Sequence, residues 1–314
     1  MTMTDETRTT GITIQPQSPT IGAEIGGIDL SQNLSDATIS EIRQALLDWK
    51  VLFFRDQDIT TEQHLAFSSR FGALEVHPFG SSKPGHDEVL AITHDENSPG
   101  LENGWHSDVT WRQEPSLGSV LRLLEGPEIG GDTLFADMYA AYDGLPDSVK
   151  ERVDGATARH DFTRFKIGLR KQGKTEAEIA EVEKLYPNPH HPVIRTHPET
   201  GRKGIYVNSA FTKEIDGMDA DESDSLLQLL FAQAGYPEYQ VRLKWQPNTI
   251  AFWDNRSVQH YAASDYYPQV RRVERVTIIG DAPYYDAAQA PAELPPRPFM
   301  GQIELRRKGN EHVR

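Results

Sequence analysis

Short strand patterns dominate the sequence from residue 88 onward, and this succession limits the fold more than any other feature. Runs rich in Val, Ile, Leu, Phe and Trp alternate with turn residues, as is typical of β-strands. Two helical patterns, Thr175–Leu185 and Asp221–Gln233, interrupt them. Many short strands with helical insertions favour a mainly β fold that is closed or sandwich-like, such as a jelly roll. The predicted strands are Glu88–Thr93, Ser116–Leu124, Thr133–Asp137, Val193–Thr196, Gly204–Asn208, Gln240–Trp245, Thr249–Trp253 and Arg271–Ile279.

The N-terminal part combines short strands with two helices. Ser35 is a suitable cap for a helix over Asp36–Trp49, whose apolar residues fall on one face. Thr60–Gln63 has the pattern of a capping box, and the helix that it opens is predicted to end at Gly72. The predicted strands of this part are Ile12–Gln15, Ala23–Leu30 and Val51–Phe54.

The chain has neither an internal repeat nor a linker that would separate two domains. Pro198–Gly201 is typical of a hairpin turn between two of the predicted strands. We therefore predict one domain over residues 1–314. Residues 1–10 and about 285–314 are polar or rich in proline, and we expect them to be mobile or wrapped over the surface.

The composition excludes several classes of partner and chemistry. With 47 acidic against 32 basic residues the net charge is −15, which disfavours nucleic acid and anionic membranes as partners. The sequence has no cysteine, so disulfides, iron–sulfur clusters, thiolate zinc sites and cysteine nucleophiles are excluded. Any metal must be bound by nitrogen and oxygen. We find neither a signal peptide nor a membrane-spanning pattern and expect a cytoplasmic protein, with a homo-oligomer left open.

A metal-binding pattern is scattered over the chain. His106 and Asp108 are two residues apart, so an extended segment places both side chains on one face. His260 lies far downstream, after Trp253–Arg256, where a strand breaks into a loop. Two histidines and one carboxylate leave coordination positions open, as in the facial triad of non-haem iron(II) oxygenases. Alone, a His-x-Asp pair recurs by chance, and a single histidine more commonly has a structural role.

Two arginines in the last predicted strand strengthen the metal interpretation. Alternation places Arg271 and Arg275 on one face and Arg272 on the other. The face of Arg271 is either exposed, with acidic partners, or internal. If it is internal, each arginine needs an anion, because an uncompensated buried charge costs several kcal/mol. An oxygenase of this class binds two anions, and the arginine fork suits a carboxylate or a sulfonate.

At these motifs the sequence resembles the taurine dioxygenase (TauD/TfdA) family of iron(II)- and 2-oxoglutarate-dependent oxygenases. That family also includes alkylsulfatases and aryloxyalkanoate dioxygenases. The order and spacing of the motifs match over nearly the whole chain. The segments that carry the resemblance are Phe71-Gly72 with His77-Pro78, Trp105–Thr110, Gly130–Thr133, His191–Pro198, Trp253–Arg256, Gln259–Tyr261 and Arg271 with Arg275.

The resemblance implies a double-stranded β-helix, which is a jelly-roll variant, and a specific ligand set. It implies that His106, Asp108 and His260 bind Fe(II). It further implies that Thr133 and Arg271 bind the distal carboxylate of 2-oxoglutarate, which is consumed together with O2. No catalytic residue beyond the metal centre follows from it.

The resemblance also implies a substrate site, although the sequence departs from the taurine pattern there. His77, the backbone of Val109, and Arg275 would surround an oxyanion of the substrate. The departures remove polar contacts to taurine and add apolar volume, so we expect a larger or different anion. They are Gly80 at the place of a tyrosine, Glu102 at the place of an asparagine and Phe165 at the place of a serine.

The predicted function is therefore hydroxylation of a small organic anion, next to a sulfonate or similar oxyanion group, with release of succinate and CO2. An alkylsulfatase or an aryloxyalkanoate dioxygenase would use the same chemistry. A non-enzymatic jelly roll that binds an organic anion is the alternative of another class.

Phe79 and Trp111 are either pocket-lining or core residues. Four further histidines that are candidates for chemistry are interpreted as structural: His94, His160, His190 and His197.

Overall fold

The computed structural model describes residues 11–100 and 103–291, and these form a mainly β protein with helical insertions, as predicted. Glu102, residues 1–10 and residues 292–314 lie outside the described residues, so the expectations for them stay predictions. The strands β1 to β16 are, in chain order, Thr13–Pro16, Ala23–Gly26, Val51–Phe54, Ser82–Lys83, His86–His94, Ser116–Glu125, Thr133–Asp137, Thr157–His160, His190–Pro192, Ile194–Thr196, Lys203–Ile205, Thr212–Ile215, Gln240–Leu243, Ile250–Asp254, Val258–Ala262 and Arg271–Ile279. The helices α1 to α7 are Asp36–Trp49, Thr61–Ser69, Met138–Asp143, Asp147–Val153, Thr163–Lys171, Glu176–Leu185 and Ala220–Ala232.

An eight-stranded sheet, in the order β1-β2-β3-β14-β6-β16-β5-β4, forms the largest layer. A three-stranded sheet, in the order β13-β7-β15, packs against one face of it. Phe135 of β7 lies at their contact, with ring centroids 5.6 Å from Trp253 and 5.9 Å from Phe53. Two further small sheets have the orders β12-β8-β9 and β10-β11. The space between the eight-stranded sheet and the β13-β7-β15 sheet therefore holds an apolar core.

Helices cover the outer faces of both sheets. Helix α1 buries Ile39, Ile42 and Leu46 against the large sheet, and the Ser35 hydroxyl caps it by accepting from the Thr38 amide. Helix α2 begins with the predicted capping box of Thr60 and Gln63 and packs on the same face. Helices α3 and α7 cover the outer face of the three-stranded sheet. Residues from strands of both sheets line the site.

Several predicted bounds differ from the structure. The strand predicted over Gly204–Asn208 ends at Ile205, because the buried Asn208 side chain accepts from the Phe211 amide and stabilises a turn. Helix α2 ends at Ser69, short of Gly72. Helix α5 was missed because its large apolar residues Phe165, Ile167 and Leu169 are spaced by two, which is not the spacing of a helix. The hairpin predicted at Pro198–Gly201 is confirmed as the connection between β10 and β11.

Residues 285–291, at the start of the predicted tail, pack on the body of the protein. The Asp286 amide donates to the Thr196 hydroxyl (2.9 Å), and Lys203 Nζ donates to the Gln289 carbonyl (3.1 Å).

Among the helices of the described residues, none has both the length and the apolar character needed to cross a membrane.

Candidate metal centre and active site

The two candidate histidine ligands are aligned by their own backbones. His106 and His260 form a β-bridge in which each amide donates to the carbonyl of the other, at 3.1 and 2.8 Å. Their ring centroids are 4.2 Å apart. His260 lies in β15, which follows the turn at 255–257 where β14 ends, so the predicted break in the strand is present and a new strand begins before His260. Residues far apart in sequence are thus brought side by side by strand pairing.

Asp108 completes the group from a turn that follows His106. Its Oδ1 lies 3.9 Å from Nε2 of His106 and 3.8 Å from Nε2 of His260. The carboxylate also accepts from the Ser119 hydroxyl (3.0 Å) and from Nη1 of Arg275 (2.9 Å). All candidate ligand atoms lie within 4.8 Å of one another. Within the described residues, this is the one group of histidines and carboxylates that converges in this way.

Burial and neighbouring charges set the protonation states of these groups. Burial and then the repulsion from His106 lower the pKa of His260 to about 3. Burial likewise lowers the pKa of His106. For Asp108, burial raises the pKa, but Arg275 and the two histidines outweigh it and hold the pKa well below its ordinary value. At neutral pH the site therefore offers two neutral imidazoles and a carboxylate, the forms that bind a metal ion.

The donor set fits a divalent metal. His106 Nδ1 lies 2.8 Å from the Gly104 carbonyl and must donate to it, which leaves the lone pair on Nε2, facing Asp108. His260 Nε2 faces the same carboxylate oxygen. Two imidazole nitrogens and one carboxylate form the facial donor set of non-haem iron(II) oxygenases.

Strand β16 supplies two arginines on the same side as this centre. Arg271 is buried and Arg272 is exposed, so the internal alternative for the face of Arg271 is correct. A cavity of about 80 Å³ lies beside His106 and His260, and Arg271 and Thr133 line it. The Thr133 hydroxyl accepts from Nε1 of Trp245 (3.0 Å) and can still donate its own hydrogen. The two residues that the family resemblance assigns to 2-oxoglutarate thus line the same cavity.

A second cavity of about 440 Å³ shares His106 and Arg275 with the first and is lined by every described residue predicted to bind substrate. His77, Val109, Phe165 and Arg275 line it together with Asp108. Burial and then the charge of Arg275 lower the pKa of His77 to about 4, so this imidazole is neutral at pH 7. Because its Nδ1 accepts from the Phe79 amide (3.2 Å), the proton lies on Nε2. His77 is therefore a neutral donor.

The residues that depart from the taurine pattern give this second cavity an apolar side. A Cβ atom at Gly80 would lie 2.0 Å from Leu90 Cδ1, so the Leu90 side chain fills the space that a residue at position 80 would need. The Phe165 ring is stacked at 6.2 Å on Phe211 and lies 5.3 Å from Phe79. Phe79 lines the cavity, whereas Trp111 is fully buried in the layer behind it.

The other histidines have different surroundings. His94 lines the smaller cavity, while His190 contacts Asp216 at the surface. His160 lies behind the centre, with Nδ1 3.0 Å from the Thr110 hydroxyl, and burial lowers its pKa. His197 contacts the buried Asp254 carboxylate at 3.0 Å.

Sequence reasoning missed several residues around the site. Phe211 and Leu90 belong to elements that no motif connects to the metal pattern, so only the fold brings them together. Asn255 lies within the Trp253–Arg256 motif, so the sequence pointed to its segment. Its hydrogen-bond partner Asp108 is 147 positions away, and no local pattern connects the two.

The chain matches the family model "Taurine catabolism dioxygenase TauD, TfdA family" over residues 13–277. It is 37% identical to an alkylsulfatase from Acinetobacter baylyi over 83% of this chain and 83% of that protein. It is 34% identical to an α-ketoglutarate-dependent sulfate ester dioxygenase from Pseudomonas putida, with 86% and 90% covered. A solved taurine dioxygenase from Burkholderia xenovorans superposes with a TM-score of 0.75 at 36% identity, covering 91% of this chain and 97% of that chain.

These matches, together with the site, define the class of protein. It is a dioxygenase that depends on 2-oxoglutarate (α-ketoglutarate), and it uses dioxygen as its second cosubstrate. More specifically, the chain belongs to the taurine catabolism dioxygenase TauD, TfdA family.

Proposed function

We propose that the protein is an Fe(II)-dependent enzyme that oxidises an organic sulfonate or sulfate ester with an apolar carbon chain. The observation that carries the proposal is that the His106–Asp108–His260 group lines two cavities, the smaller of which also contains Arg271, while Arg275 lines both. We further propose that the chain forms a single dioxygenase domain with a double-stranded β-helix fold. A cytoplasmic location and a homo-oligomer stay predictions.

In this proposal the three residues bind iron, and the smaller cavity binds 2-oxoglutarate. Bound iron would activate dioxygen while 2-oxoglutarate loses CO2 and becomes succinate. Arg271 pairs with the distal carboxylate, and the Thr133 hydroxyl donates to it. Arg271 is buried, so a charge-assisted contact with this carboxylate is shielded from water.

The larger cavity orients the substrate by its anionic end. Arg275 and the neutral His77 donate to the oxyanion, and the backbone of Val109 completes this group. The carbon next to the anion then faces the metal centre. Hydroxylation of that carbon gives an unstable product, which breaks down to an aldehyde and the free sulfite or sulfate.

The apolar side of this cavity favours a longer carbon chain over taurine. Phe79, Phe165 and Phe211 form one wall, and Leu90 closes the space beside Gly80. Each buried methylene contributes about 0.8 kcal/mol, so a few carbons outweigh one polar contact to an ammonium group. Sulfate esters are the second candidate substrate class. One relative named above is an alkylsulfatase, and another is a sulfate ester dioxygenase.

A substrate screen tests the proposal. Consumption of 2-oxoglutarate is measured with taurine, hexanesulfonate, octyl sulfate and a phenoxyacetate, at equal concentrations and with Fe(II) present. We expect the apolar sulfonate or the sulfate ester to give the fastest consumption. A tenfold or greater preference for taurine would contradict the proposed substrate class.

A matched pair of variants tests the cavity wall. Phe165→Ala should weaken the apparent affinity for octyl sulfate, because it removes an aromatic ring from the cavity. Ile167→Ala, on the same helix, removes an apolar side chain that is 51% exposed, and it should leave the affinity unchanged. Equal effects of both variants would exclude Phe165 from the substrate site.

A further inference from the structure

Asn255 is fully buried next to Asp108, and its side chain forms hydrogen bonds with both the amide and the carbonyl of Asp108. Asn255 Oδ1 accepts from the Asp108 amide at 2.6 Å, and Nδ2 donates to the Asp108 carbonyl at 2.9 Å. The same Nδ2 also donates to the Ser116 carbonyl at 3.3 Å. A single side chain thus replaces the strand partner that Asp108 lacks.

The local backbone explains why this position needs such a partner. His106 is aligned by its bridge to His260, but the chain then leaves the strand geometry and Val109 has a φ of +49°. Left alone, the amide and carbonyl of Asp108 would be buried without partners. An amide side chain carries both an acceptor and a donor, whereas an aspartate in its place would lack the donor.

Asn255 is itself rigidly held, because its two neighbours are anchored in a buried ionic network. Arg256 donates to both oxygens of Asp254 at 2.8 and 2.7 Å, and it lies 2.8 Å from Glu199 Oε1. His197 donates to Asp254 as well, since its Nδ1 accepts from backbone amides and leaves the proton on Nε2. The loop between β14 and β15 therefore offers a fixed base for the contact with Asp108.

We propose that Asn255 is a positioning residue that fixes the carboxylate of Asp108 for metal binding. Ser119 and Arg275 orient the end of that carboxylate, whereas Asn255 fixes the backbone from which it projects. The histidines are aligned independently of it, so its removal acts on one ligand of the three. This inference rests on the metal centre under the proposed function.

The test is metal affinity, measured without turnover. The dissociation constant of Co(II) is determined from its visible absorption for the wild type, Asn255→Ala and Asn255→Asp. We expect both variants to bind about 10- to 100-fold more weakly, as is usual when a group that orients a metal ligand is lost. Asn255→Asp retains the shape and the acceptor, and its added negative charge would attract the cation. Weaker binding by this variant therefore indicates lost positioning.

Gln57→Ala is the matched control. The Gln57 side chain is another buried amide that both accepts from and donates to the backbone. It accepts from the Leu30 amide at 2.8 Å and donates to the Arg55 carbonyl at 2.8 Å. It lies far from the centre, on the loop after β3. We expect Gln57→Ala to lower the melting temperature without changing the Co(II) dissociation constant.

A spectroscopic measurement separates positioning from general destabilisation. Anaerobic addition of Fe(II) and 2-oxoglutarate should give a visible charge-transfer band, which should be shifted or weakened in Asn255→Asp and unchanged in Gln57→Ala. If the wild type binds metal and the Asn255 variants bind it within about threefold of the wild type, the inference is wrong. If the wild type binds no metal, the proposed metal centre is wrong as well.

Discussion

Replacement of Arg271 by alanine is the sharpest test of how the two cavities are assigned. Arg271 is buried in the wall of the smaller cavity, which it shares with Thr133 and His260. Its guanidinium lies 5.7 Å from the centre of the Trp245 ring, which holds it in place. Removing this side chain leaves the distal carboxylate of 2-oxoglutarate without its charged partner.

The expected loss follows from the burial of the pair. Truncation of one member of a buried, hydrogen-bonded charge pair costs about 2–5 kcal/mol. At about 1.4 kcal/mol for each tenfold change, this corresponds to a loss of about 30-fold to several thousand-fold in affinity. The affinity for the substrate anion should change much less, because Arg275 binds it in the other cavity.

Isothermal titration of 2-oxoglutarate into the Mn(II)-loaded protein measures this loss without turnover. Arg272→Ala is the matched control, since Arg272 is the next residue of the same strand but points to the opposite face, where its own side chain is exposed. Its contact with Glu125 lies at the surface, where an ion pair contributes little. If Arg271→Ala binds 2-oxoglutarate as tightly as Arg272→Ala does, the assignment of the two arginines is wrong.

Three further predictions concern other parts of the molecule. Asp108→Ala should abolish succinate formation and strongly weaken iron binding; native-like values for both would contradict the ligand assignment. Arg275→Leu should raise the KM for the substrate by at least about tenfold and that for 2-oxoglutarate much less, which steady-state kinetics measures. Burial lowers the pKa of His64 from 6.5 to about 4, so the stability that its neutral ring contributes is complete above pH 6.5 and is lost as the pH falls towards 4. Denaturant titrations at pH 7 and pH 4 measure this loss. Between these pH values the free energy of unfolding of the wild type should fall by up to about 3 kcal/mol more than that of His64→Gln. An equal fall in both proteins would exclude His64 as the cause.

The strand-rich fold was predictable because hydrophobic periodicity is local. Strands such as Thr133–Asp137 and Arg271–Ile279 match the predicted bounds, and the capping box at Thr60 is present. Spacing also indicated that His106 and Asp108 lie together, and they do, although Asp108 projects from a turn and not from the predicted extended segment. The internal face of Arg271 was one of two alternatives until the sheet order was known.

Contacts between distant segments were not predictable in the same way. The Asn255–Asp108 contact joins two turns, and turns have no periodicity from which a partner can be derived. Leu90 fills the space beside Gly80 only because of the local register shift where β4 pairs with β5. Helix α5 carries Phe165 into the larger cavity although its own sequence is mostly polar. These features depend on the packing of elements, which local patterns do not encode.

The most direct test of the proposed function is the stoichiometry of the products. With an apolar alkyl sulfate or sulfonate, Fe(II), 2-oxoglutarate and dioxygen, we expect one succinate for each sulfate or sulfite released, and neither product from Asp108→Ala. Release of the anion without 2-oxoglutarate, or succinate formation that no organic sulfonate or sulfate ester accelerates, would contradict the account.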